Sequence, residues 1–127
     1  MPDPADHAGP AAPLQEQRVG PISIVEISAG SLMDPPVLEA IKDRLIHLID
    51  EQDRRKMVLN FEKVEYISSQ MIGVLLAVRQ RCEALPGGKL VLCGVGKSLM
   101  ELLKLMKLHK LLTIKPTQRE AVAHLGG

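Results

Sequence analysis

The sequence predicts an α/β domain built on a small, largely parallel sheet with helices packed against it. Three observations carry that expectation. Short apolar runs take turns along the chain with longer segments whose apolar residues recur at three and four. Two of the runs, MVLNF (57–61) and KLVLC (89–93), are apolar without alternation, which is how strands covered on both faces read. Strand-like and helix-like segments follow one another in strict turn, an order that joins parallel strands through right-handed crossovers.

The elements can be justified in order. The opening MPDPADHAGPAAP holds four of the nine prolines and no branched or aromatic apolar side chain, so residues 1–13 are expected to be a disordered tail. Residues 14–127 are then one domain. Leu14 to Arg18 can form a short extended piece, and ISIVEIS predicts a strand over 22–28. In DPPVLEAIKDRLIHLIDEQ, Val37, Leu38, Ile41, Leu45, Leu48 and Ile49 form one apolar face, with Asp34 as N-cap before prolines suited to a first turn. After MVLNF, the residues Met71, Leu75, Val78, Cys82 and Leu85 mark a second amphipathic helix, ending at PGG. KLVLC is followed by GVG and by KSLMELLKLMKLHKLL. There Leu99, Leu102, Leu103 and Met106 should point inward and Lys97, Glu101 and Lys104 outward, with Leu105 and Leu108 widening the apolar stripe. LTI reads as a last edge strand, and Thr117 and Glu120 are spaced as a capping box opening a final helix.

Composition excludes several functions. Sixteen basic against 15 acidic residues leave a formal charge of +1, so no net field selects nucleic acid, lipid or an acidic substrate. Phe61 and Tyr66 are the only aromatic residues, too few for base stacking, and no nucleic-acid partner is expected. No apolar run approaches the roughly 18 residues of a membrane span, and the start lacks the pattern of a signal peptide. Cys82 and Cys93 fit no metal spacing and read as small buried hydrophobes, in keeping with a reducing cytoplasm. The four histidines lie on a tail and three separate elements, which argues against a metal site. GVGKS has the parts of a phosphate-binding loop but not its spacing, because Val91 stands where the required glycine would be. The serines lack a nucleophile elbow, so no catalytic residue, cofactor or enzymatic activity is expected.

The segment NFEKVEYISSQMIGVLLAVRQRC sets Ser68 and Ser69 between a strand and the first apolar turn of a helix. One hydroxyl there caps orphan N–H groups, worth about 1 kcal/mol. The other would sit at the positive end of the helix dipole, where a phosphate is favourable.

This segment, with GGKLVLCGVGKSLMELLKLMKLHKLLTIKPTQREAV, resembles the STAS domain of bacterial anti-sigma factor antagonists, from about Ile22 to Leu125. Asp34 falls where that family tends to have an acid, Asn60 where it has Asp or Asn ending the central strand, and Ser68 to Met71 where it has Asp-Ser-Ser/Thr-Gly. Ser68 thus replaces the acid and Met71 the glycine. The resemblance implies a cytoplasmic, cofactor-free signalling protein, monomer or weak homodimer, that regulates transcription by capturing an anti-sigma factor that is also a serine kinase. Phosphorylation would end the capture; the family's modified serine maps to Ser69, with Ser68 the lesser candidate. Asp34, Asn60, Ser68, Gln70 and Met71 would contact the partner. Family members also act as scaffolds without the switch, which is the alternative.

Overall fold

The computed structural model describes residues 12–126. Of the expected tail, residues 1–11 lie outside them, but Ala12 and Pro13 are tied to the sheet. The Leu14 N–H donates to Ala12 O and the Ser28 N–H to Pro13 O, both at 2.8 Å. Ala12 and Pro13, expected in the tail, are thus placed against the first strands.

In chain order the elements are β1 (Leu14–Val19), β2 (Ile22–Ile27), β3 (Ser31–Leu32), α1 (Pro35–Asp50), β4 (Lys56–Asn60), β5 (Tyr66–Ile67), α2 (Ser69–Glu83), β6 (Lys89–Cys93), α3 (Lys97–Leu105), β7 (Thr113–Lys115) and α4 (Gln118–His124). The main sheet has the order β1-β2-β4-β6-β7, antiparallel only between β1 and β2. The small second sheet, β3 with β5, is parallel. This is the mixed, mostly parallel α/β architecture expected from the sequence.

Period explains the layers. In β2, β4 and β6 every second residue faces α1, α2 and α3, joining Val25, Ile27, Met57, Leu59, Leu90 and Leu92 to the larger core. The alternate residues Ile22, Ile24, Val58, Val91 and Cys93 meet Ala121 of α4 and Leu125, its C-cap, on the other face. Both sides of the central strands are thus dry, as their unbroken apolar runs require. Of the stripes read for α1 and α2, Leu38, Ile41, Leu45, Leu48 and Ile49 on one and Met71, Leu75, Val78 and Cys82 on the other are buried, while Val37 and Leu85 are partly buried at the core's edge, Leu85 beyond the end of α2.

α3 departs from expectation at its end. Leu99 and Leu103 are buried, but the helix stops at Leu105 and the chain turns through Lys107, whose φ of 60° is left-handed. Met106, expected inside, is 46% exposed, while Leu108 is buried by the 3-10 turn Leu108–Lys110. The continued spacing could not register that the helix axis had ended.

Candidate functional site

The site is built by the carboxyl ends of the strands and the helix starts that follow them. β3 and β5 contribute two residues each, paired Ser31 to Tyr66 and Leu32 to Ile67, and the Ser68 N–H extends the ladder by donating to Leu32 O at 3.0 Å. α1 starts three residues past β3 and α2 two past β5, so the small sheet precedes both helix starts.

The two serines divide the work. Ser68 has extended backbone, φ −91° and ψ 166°, and its Oγ accepts from the Met71 N–H at 3.2 Å, the geometry of an N-cap serving the third helical residue. It is half-buried. Ser69, first residue of the helix, is exposed, and so is Gln70. Asp34 also stands at an N-cap position with extended backbone, yet its carboxylate makes no cap bond. Pro36 has no N–H to offer at the second helical position. Asp34 is consequently exposed at the rim.

Two residues expected on a partner surface are interior. Met71 is 0% exposed and lies in the larger core, because the third helical position faces the sheet. Asn60, 4% exposed, ends β4: its Oδ1 accepts from the Glu62 N–H at 2.8 Å and its Nδ2 donates to Gln118 Oε1 at 2.9 Å. It ties the strand end, the following turn and α4 together. Neither side chain is available to a partner. Gly94, after β6, has φ +67°, and a Cβ there would come 3.1 Å from Asn60 Oδ1 and from the Glu62 N. The same corner thus depends on a glycine.

Beside the serines lies a cleft of about 320 Å³, lined by Ser31, Met33, Tyr66, Ile67, Leu99 and Leu102 among others. Met33 is 54% and Tyr66 64% exposed on its rim. Sequence reasoning missed both. Each lies outside a periodic stripe, and the only signal was the scarcity of aromatic residues, which makes an exposed Tyr66 stand out.

The remaining candidates fall outside the site. Gly94 to Gly96 are all that separate β6 from α3, and Lys97 and Ser98 are exposed at its start. Such a link is too short to curl around phosphates. Burial pushes the Cys82 and Cys93 thiols up to about 11, which leaves both protonated at neutral pH. Among the described residues no three His, Cys, Asp or Glu side chains gather to hold a metal, and no helix is long and apolar enough to cross a membrane.

A sheet of this order with helices starting beyond its carboxyl end defines a small mixed α/β domain. Residues 15–121 match the STAS domain, and the chain belongs to that family. Solved structures share the fold. A STAS domain protein from Planctomyces limnophilus, described as an anti-sigma-factor antagonist domain, is 19% identical over 91% of this chain and 99% of its own, with a TM-score of 0.78. The Bacillus cell fate determinant SpoIIAA in its phosphorylated form is 18% identical over 88% and 98%, with a TM-score of 0.68. A sulfate transporter family protein from Wolinella succinogenes is 22% identical over 85% and 87%, with a TM-score of 0.69.

Proposed function

We propose that this chain is an anti-sigma factor antagonist, a non-enzymatic binding protein of the cytoplasm. It captures a serine-kinase anti-sigma factor through Asp34, Ser69, Gln70 and the neighbouring cleft, and phosphorylation of Ser69 ends the capture. One observation carries the reading: Ser69 is the exposed hydroxyl at the start of α2, whereas Ser68 is engaged as the cap and the next position is Gln70. A phosphate on Ser69 would add a charge of about −1.5 to −2 at the positive end of a helix, so the fold would tolerate it. Glu65, which lines the cleft, would add to the negative field that a docked partner would then face.

The test is incubation with the cognate kinase and ATP, read by mass spectrometry, alongside partner binding by Ser69→Asp and Ser69→Ala. Ser69→Asp should fold normally and bind weakly, and Ser69→Ala should bind as the wild type does. Modification at Ser68 would overturn the assignment. Absence of any modification, with partner binding intact, would favour the second reading, a STAS scaffold without the switch. That reading draws on the replacement of the family's acid by Ser68 and of its glycine by Met71.

A further inference from the structure

The near-zero net charge hides a segregation. From Gly94 to Thr117 there are five lysines and one glutamate, a formal +4, while the other 11 basic and 14 acidic residues of the chain sum to −3. Among the described residues, none of Lys97, Lys104, Lys107, Lys110 or Lys115 has an ion-pair partner, although six ion pairs form elsewhere. Within the same stretch Leu105 is 81%, Met106 46% and Leu111 50% exposed. These side chains lie where α3 ends and the 3-10 turn folds back, with the Lys107 N–H donating to Lys104 O at 2.9 Å and the Leu111 N–H to Leu108 O at 3.0 Å. α3 starts beside the carboxyl end of β6 and returns to the start of β7. The patch is therefore at the opposite end of the sheet from Ser69.

We infer that Leu105, Met106 and Leu111, with Lys104, Lys107 and Lys110, form a second docking surface whose occupant is an acidic amphipathic helix of a partner protein. The apolar residues supply a strip a helix can cover, and the unpaired ammonium groups beside it select carboxylates. A lipid surface is the poorer match. The patch has no Trp, Tyr or Phe to sit at the headgroup level, and three apolar side chains bury too little for stable insertion. The surface is independent of the proposed switch.

The experiment titrates the labelled full chain with a synthetic peptide of about 18 residues, leucines on one face and glutamates on the other, long enough to be helical. Chemical-shift changes should concentrate at residues 104–111. Raising the salt from about 0.1 M to about 1 M, which cuts the Debye length from about 10 Å to about 3 Å, should weaken binding severalfold. Joint substitution Lys104→Glu, Lys107→Glu and Lys110→Glu should abolish it, and Leu105→Ser should weaken it about tenfold, corresponding to about 1.4 kcal/mol. Ser69→Asp should leave it unchanged, which separates this surface from the switch. The inference is overturned if the peptide fails to bind, or if its counterpart with lysines for glutamates binds equally. It also fails if phosphatidylglycerol vesicles engage the patch and the peptide does not. Self-association lost on Leu105→Ser would assign the patch to a second copy of the chain and overturn it too.

Discussion

Replacing Met71 by glycine, the residue that the family resemblance places there, tests whether the position serves docking or packing. The side chain is fully buried at the third position of α2, against the sheet. Truncating a buried Met to Ala costs about 2–5 kcal/mol, the spread reflecting how far the cavity collapses. Going on to glycine adds about 1 kcal/mol of helix propensity. The expected loss is about 3–6 kcal/mol, a large share of the roughly 5–15 kcal/mol that holds a domain together. Met71→Leu keeps the volume and should cost under about 1.5 kcal/mol. Urea denaturation followed by far-UV circular dichroism measures both, since a fall in midpoint at constant slope is a change in stability alone. A loss below about 1 kcal/mol for Met71→Gly would refute the packing argument, because a surface site responds within about 0.5 kcal/mol.

Four further outcomes follow from the geometry. Ser68→Ala should cost about 1 kcal/mol, or a few degrees in Tm, whereas Ser69→Ala should be neutral in the same melt. Gly94→Ala should lose about 1–3 kcal/mol by denaturation, since the left-handed backbone and the close approach to Asn60 both oppose a Cβ. Cys82 and Cys93, with thiols raised to about 11 by burial, should react with a disulfide reagent at neutral pH only after unfolding; equal rates folded and unfolded would contradict their burial. Burial raises the Glu16 pKa, but the Ser23 hydroxyl and the Arg54 guanidinium outweigh it and hold the carboxyl below its ordinary 4.5. The folded state therefore favours the charged form, so the stabilisation is full above the ordinary value and is lost as pH falls through the lowered one. Glu16→Gln should flatten the acid limb of stability against pH, and an unchanged limb would count against the contact.

What the sequence disclosed follows from which forces have a period. The stripes through Leu38 to Ile49 and Met71 to Cys82, and the runs at 57–61 and 89–93, were legible because burying a helix or strand face imposes its own spacing on apolar residues. Met71 carried two opposed signals, a place on a helical stripe and a place in a family motif, and burial followed the stripe. β3 and β5 were not legible. Two-residue strands carry no alternation, and their partners are far apart in the chain, so the pairing of Ser31 with Tyr66 and of Leu32 with Ile67 rests on register that no local pattern records. The end of α3 was missed because a lysine, not a glycine, takes the left-handed turn.

The strand order β1-β2-β4-β6-β7 never doubles back on itself. In doubly wound sheets the reversal of strand order splays successive loops apart, and the crevice so opened is where cofactors and small substrates sit. A sheet that grows outward in one direction throws its connecting helices to the same side, and no reversal of strand order opens a deep crevice among their starts. Such an architecture offers other molecules a rim rather than a chamber, so what it recognises must come to it as a surface.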